Sequence, residues 1–476
     1  MPDRLAADWI VVGLLTLVAF LLRVSQLHQT LVGDEVSTYQ DIVGHSLRNV
    51  LSTVHTGAEN SPPLFFLLAW VAAKLGDATV WIRVPSLLAG TATVPVVHAI
   101  GRETIGRVGG LIAAAVVALT PFAVYYGIEA RPYATMTFFV ALSTWALLRA
   151  VRTGGVRWWV LYTLSATAAA YCHYTGVFVL GAQAVWALWT CRERLRTPLI
   201  ANAAVLVLYS PWLPHLRGKA LAVIGALYPL GFHRVLTDLV RPFPGHPAAP
   251  LHAIPTVAGL IAVGAGAVGG LIALGLRRRR RSPGSRWLPS RFGLLVALAV
   301  ATPIGLLLYS LTVTDLWLPR GLSASLPAIA LVFGGLLAVL PRPLTVLAAT
   351  ALILTLAAGT LRSFDAVYAR GPFRTLAAYL DRVARPGDPV TIVSFVGAPA
   401  LGVEFRRRHL VLGSLARMWT LTSTGANAYV VLDDVIASRY KLGTPRHPGF
   451  GLVARRHYAG SFPTELLTYR RLPSAR

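Results

Sequence analysis

Eleven stretches of the chain are apolar over about the length a helix needs to cross a bilayer core, near twenty residues. They fall at 9–27, 81–100, 108–127, 133–150, 157–173, 175–190, 199–213, 253–276, 292–311, 322–340 and 344–361. This pattern predicts a mainly α fold, a polytopic transmembrane bundle of about eleven spans filling residues 1–361. Trp9–Leu27 has no small-residue cleavage site after a short apolar core, so it is expected to be an uncleaved first span. Pro62–Leu75 is too short to cross at about fourteen residues, and it opens on Pro62-Pro63, as helix starts do. It suits an interfacial or re-entrant helix inside a long first outer loop, 28–80, expected to carry two surface helices. From Arg362 the periodicity changes. Leu376–Val383 reads as a short amphipathic helix, and Val390–Phe395 and Ala428–Leu432 as buried strands between Pro/Gly turns. Residues 362–476 are therefore expected to form a small C-terminal α/β domain.

Charge sets the expected orientation. Of 44 basic residues, seventeen lie in alternate short loops, among them Arg102 and Arg107, Arg149 to Arg157, Arg192 to Arg196, the run Arg277–Arg281, and Arg342. The positive-inside rule counts such loops, so the N-terminus is expected in the cytoplasm and the C-terminal domain outside a multi-pass cell-membrane protein. The Arg277–Arg281 run reads as a topology anchor. Composition agrees: 55% hydrophobic and 13% charged residues with mean hydropathy +0.61, against about 25% charged in soluble domains. The net charge of +25 raises nucleic acid as a partner. Its arginines alternate with apolar spans and form no binding stripe, so the lipid bilayer is the expected partner and nucleic acid is not. Cys172 and Cys191 lie in or beside apolar runs with neither metal-ligand spacing nor a bridge framework.

Against this background Asp34-Glu35 stands out, two of only nineteen acidic residues, placed just outside the first span. A carboxylate there can accept a proton from a hydroxyl or hold a divalent metal at a phosphate, so a metal is a candidate cofactor without being specified. The bland reading is a helix cap. The same loop carries Glu59 before Ser61-Pro62-Pro63. On the same expected side, Tyr125-Tyr126-Gly127-Ile128-Glu129-Ala130-Arg131-Pro132-Tyr133 gathers an acid, a guanidinium and aromatic rings in a very short loop. Arg131 can clamp a phosphate and Glu129 can orient it; the alternatives are an internal ion pair or an interfacial tyrosine belt. His173, between Cys172 and Tyr174, is either functional or a packed interfacial histidine. Arg320 is a second candidate phosphate ligand, with snorkelling as its alternative. The basic loop after the seventh span, with His215, Arg217, Lys219, His233, Arg234, Asp238, Arg241 and His246, suits a substrate-shaping lid.

Taken together, Asp34-Glu35, Pro62-Pro63-Leu64-Phe65-Phe66, Arg83-Val84-Pro85-Ser86, Tyr125 to Tyr133 and His173-Tyr174 resemble membrane glycosyltransferases of the GT-C type. The match is to the family 39 and 83 group, which includes protein O-mannosyltransferases and lipid A aminoarabinose transferases. The resemblance covers about the first 190 residues, with a loose extension at Arg320–Pro327. It implies a polyprenyl-phosphate sugar donor, an extracytoplasmic acceptor (lipid, cell-wall glycan or protein), and transfer with inversion. By the same resemblance Asp34 is the catalytic carboxylate with Glu35 in support. It places Glu129 and Arg131 near the donor phosphate, and the expected substrate-binding set is Glu59, Tyr126, Glu129, Arg131, Tyr133, His173 and Arg320. Asn60-Ser61 stands where the group commonly has His or Lys before the proline pair, which leaves donor and acceptor unspecified. A transporter or flippase of lipid-linked sugars is the rival. Such proteins place charges at the midplane in repeated halves, and no repeat occurs here.

Overall fold

The structure is a computed structural model that describes residues 2–55, 61–216, 229–240, 243–245, 257–279, 291–394, 397–433 and 443–473. The chain separates into two compact units. One is Met1–Leu27 with Asp41–Arg362; the other is His28–Gln40 with Ser363–Arg476. The stretch that carries Asp34 and Glu35 thus belongs to the same unit as the C-terminal residues.

The helices up to residue 209 are α1 (Pro2–Val24), α2 (Asp34–Ile42), α3 (Leu47–His55), α4 (Leu64–Ala73), α5 (Ala78–Trp81), α6 (Val84–Thr104), α7 (Gly106–Leu119), α8 (Pro121–Tyr126), α9 (Tyr133–Thr153), α10 (Val156–Cys172), α11 (Gly176–Thr190) and α12 (Arg196–Tyr209). Helices Phe232–Val240, Val257–Arg279, Arg291–Thr312, Leu326–Ala338 and Arg342–Arg362 follow in the first unit. A helix lies within each of the eleven stretches expected to cross. Among the described residues six helical segments are long and apolar enough to do so by themselves. The third expected span shows why others fall short: α7 ends at Leu119, and Pro121, which lacks an N–H to continue the ladder, begins α8. The described residues of the first outer loop hold four short helices where two were expected. Its α4 has the length foreseen for a non-crossing helix, but Phe65 and Phe66 are buried, so it is not simply a surface element.

Small residues bring the bundle helices close, as membrane packing favours. A Cβ added at Gly101 of α6 would lie 2.4 Å from Gly110 Cα of α7, and one at Gly334 would lie 2.3 Å from Gly109 O.

The second unit holds a five-stranded sheet in the order β2-β1-β3-β5-β4. Its strands are β1 (Pro389–Val393), β2 (Leu410–Leu412), β3 (Asn427–Asp433), β4 (Phe450–Tyr458) and β5 (Thr464–Arg471). The β1 strand pairs in parallel with β2 and β3, whereas β5 pairs antiparallel with β3 and β4. Helix Phe373–Val383 buries Phe373, Leu376, Ala377 and Leu380, the i, i+3, i+4, i+7 stripe of an amphipathic helix.

Candidate active site

In the first unit the polar cluster forms where α8 turns into α9. Arg131 and Glu129 are both buried in this turn, and the Arg131 N–H donates to the Glu129 carbonyl at 2.7 Å. Ser86, near the start of α6, donates its hydroxyl to the Arg131 carbonyl at 3.1 Å, which ties the turn to a second helix. The Arg131 guanidinium stands 5.8 Å from the Phe66 ring centre, and that of Arg320 stands 5.7 Å from the Tyr133 ring. Tyr133 meets Tyr126 edge-on at 5.5 Å and His173 at 5.1 Å. Tyr126, Tyr133, His173 and Arg320, read from three separate segments, are therefore joined by ring and cation contacts, with Glu129 and Arg131 in the turn between Tyr126 and Tyr133.

The electrostatics of this group favour anions. His173 follows the last residue of α10, in the short connection to α11. Burial of its ring, then the positive fields of Arg131 and Arg320, push its pKa down to about 3. Its Nδ1 accepts the Thr175 backbone N–H at 3.2 Å, so the neutral ring carries its proton on Nε2 and offers a donor there. Two guanidinium groups with a neutral imidazole donor make a surface suited to phosphate oxygens.

Sequence reasoning misses the residue that holds this turn from below. Arg23, at the end of α1, is fully buried. Its guanidinium donates to the carbonyls of Ala19 at 2.8 Å, Ala123 at 3.1 Å and Val117 at 3.4 Å, linking α1, α8 and α7. A Cβ at Gly127 would lie 2.4 Å from Arg23 Nε, so only glycine admits the arginine there. The signal is present: Arg23 is the one cation inside the run Trp9–Leu27, and an ionisable residue within a span is a functional candidate by default.

In the second unit, Gly33 takes a left-handed φ of +53° and turns the chain into α2, whose first turn holds Asp34 and Glu35. Glu35 is wholly enclosed, its Oε2 3.0 Å from Nη1 of the equally buried Arg370. Asp34 keeps partial exposure. The stretch is fastened further by Arg374. This residue donates to the His28 carbonyl at 2.7 Å and pairs with Glu404 at 3.0 Å, while the Thr30 hydroxyl donates to the same carboxylate at 3.0 Å. Arg370 and Arg374, far along the chain, carry no sequence signal for this role. The two carboxylates thus differ: Glu35 anchors its segment, and Asp34 is the one with surface to offer.

Glu59 lies outside the described residues, as do Arg217, Lys219, Arg241 and His246 of the basic loop. Arg234 of that loop donates to the Trp317 carbonyl and pairs with Asp238 at 3.5 Å, so these two pack the loop. Among the described residues no three His, Cys, Asp or Glu side chains gather as a metal-ligand group.

Over 97% of its length the chain superposes on 98% of ArnT from Cupriavidus metallidurans in the apo state, with a TM-score of 0.56 at 13% identity. The chain has a GT-C-like fold. The Archaeoglobus fulgidus oligosaccharyltransferase gives a TM-score of 0.50 at 13% identity over 98% of this chain and 74% of that one. Residues 60–215 match the model of the dolichyl-phosphate-mannose-protein mannosyltransferase family. A Bacillus subtilis (strain 168) protein named "Putative mannosyltransferase YkcB" is 30% identical over 100 residues, which are 21% of this chain and 14% of that relative's length.

Proposed function

We propose that this GT-C-fold membrane protein transfers one sugar from a polyprenyl-phosphate donor to an extracytoplasmic acceptor hydroxyl, inverting the anomeric carbon. The observation that carries the reading is the pair of guanidinium groups whose fields both reach His173, Arg131 inside the matched region 60–215 and Arg320, over the Tyr133 ring, far beyond its end. A lipid-linked phosphate departs with growing negative charge, and fixed cations and N–H donors stabilise that charge where it develops. In the proposed step the acceptor oxygen bonds to the anomeric carbon as its proton passes to a carboxylate base, the role that the sequence resemblance gives to Asp34, and the bond from that carbon to the phosphate oxygen breaks. Polyprenyl phosphate leaves against Arg131 and Arg320, with Glu129 holding the turn and the Tyr126 and Tyr133 rings walling it. Support for a lipid-phosphate donor comes from the matched family, described by a dolichyl-phosphate-linked mannose. The charge distribution supports an orientation with the N-terminus in the cytoplasm and the Tyr126–Tyr133 turn outside.

The test compares Arg131→Gln, Arg320→Gln and the native protein in membranes for transfer from a short-chain polyprenyl-phosphate sugar. Losing a charge-assisted contact to phosphate costs about 1.5–3 kcal/mol, so kcat/KM is expected to fall about tenfold to a hundredfold in each. Both variants transferring at the native rate with normal expression would overturn the assignment.

A further inference from the structure

At the opposite end of α6 and α9 from the Tyr126–Tyr133 turn lies a second polar site that the transfer chemistry does not use. The two ends of α6, at Ser86 and Glu103, are about 26 Å apart at 1.5 Å per helical residue, close to the thickness of a bilayer core. Here an open cleft of about 540 Å³ is lined by Trp9, Arg102, Glu103, Arg149, Arg152 and Arg291. Four guanidinium groups thus share a cleft with one carboxylate. Glu103 meets Arg149 at 2.7 Å and Arg152 at 3.5 Å, and its backbone carbonyl accepts from Arg291 at 2.8 Å. One carboxylate neutralises one cation, so the cleft keeps a net positive charge of about three at the level of the lipid head groups.

The walls say what kind of anion fits. Below the arginines the lining turns apolar, with Pro95, Val96 and Ala99 of α6, and Trp9 stands at the margin, 45% exposed. From Trp9 an exposed apolar row, Ile10, Leu14, Leu17 and Leu21, runs along α1 in the direction a lipid chain would take. Arg149 lies over two indole rings, 5.6 Å from Trp145 and 5.3 Å from Trp158, so its charge is held at one place and does not wave in solvent. A soluble phosphate would use the guanidinium groups and leave the apolar wall idle. A lipid uses both.

We propose that this cleft is a binding site for the head group of an anionic phospholipid of the cytoplasmic leaflet. The phosphate is taken by Arg102 and Arg152, with Arg149 and Arg291 behind them, and the acyl chains lie along Pro95, Val96 and α1. The inference rests on the membrane orientation proposed above and not on the transfer reaction.

The test uses the full chain in phosphatidylcholine nanodiscs with phosphatidylglycerol added, read by native mass spectrometry of bound lipid and by the shift in melting temperature. Native protein is expected to retain phosphatidylglycerol and gain thermal stability from it. Arg102→Gln/Arg152→Gln is expected to melt as the native protein does in phosphatidylcholine but bind phosphatidylglycerol about 25-fold more weakly, about fivefold for each arginine removed. Equal retention of phosphatidylcholine, or unchanged phosphatidylglycerol binding by the variant, would overturn the proposal. So would an equal melting shift from inorganic phosphate alone, which would make this a soluble-anion site. If the double variant is itself unstable, Ala99→Leu, which narrows the apolar wall and keeps every charge, is expected to lose the lipid adduct; retention of the adduct would count against the proposal.

Discussion

Replacing Glu35 with Gln separates the roles of the two adjacent carboxylates. Glu35 and Arg370 are an ion pair at 3.0 Å whose side chains are 0% and 1% exposed. Removing one partner takes from the other buried charge an opposite charge at 3.0 Å, which costs about 3–5 kcal/mol. At 1.4 kcal/mol per tenfold, local opening of this segment becomes about a hundred to a few thousand times more frequent. Hydrogen exchange of the intact protein in detergent reads this directly, because amides of His28–Gln40 and of the helix Phe373–Val383 lie in the affected unit. Both are expected to lose protection by that factor in Glu35→Gln and in Arg370→Met, while the helices of the first unit keep theirs. The double variant Glu35→Leu/Arg370→Met buries no charge and is expected to recover most of the loss, since a packed apolar pair is often neutral relative to a buried ion pair. Protection within about threefold of native in Glu35→Gln would refute the reasoning, as would a double variant as labile as the sum of the two singles.

Two further expectations follow from the first unit. The His173 pKa is depressed to about 3, so below its unfolded value of 6.5 the unfolded chain binds the extra proton and the native state loses stability as pH falls from 6.5 towards 3. The slope from this group is at most about 1.4 kcal/mol per pH unit, and His173→Gln is expected to remove that component from melting curves recorded between pH 7 and 5; an unchanged acid slope would contradict it. Gly127 sits at an ordinary helical φ of −71°, so Gly127→Ala acts only through crowding against Arg23 Nε and Ala123 O, 2.4 and 2.5 Å from the new Cβ. It is expected to cost about 1–3 kcal/mol in thermal unfolding and to lower transfer by displacing the turn that holds Arg131; native melting and native transfer together would count against this.

What the sequence reveals follows from which forces are local. Apolar runs are local, so a helix is found in each expected stretch, and β1 and β3, central strands with apolar residues buried on both faces, are legible as short apolar runs. The edge strand β4 is not, because Arg455, Arg456 and His457 face solvent and read as loop. Nor is β2, only three residues long. The Glu129–Arg131 turn is visible because an acid, a cation and three tyrosines within nine residues are rare beside a membrane span. Long-range pairing is invisible. Nothing near Glu35 announces Arg370, so the two acids look equivalent until burial distinguishes them. Arg23 escapes notice for a different reason: an arginine near a span end ordinarily snorkels to the interface, and only the carbonyls of Ala123 and Val117 show that this one points inward.

The central claim is that Asp34 takes the acceptor proton. It is tested most directly by Asp34→Asn, assayed for sugar transfer from a polyprenyl-phosphate donor in membranes with expression and melting temperature matched to native. A partly exposed carboxylate on the first turn of a helix contributes little to stability, so the account predicts native melting within about 1 kcal/mol. Loss of general-base catalysis lowers kcat by about a hundredfold to ten-thousandfold. Native turnover by the Asp34→Asn variant would contradict it.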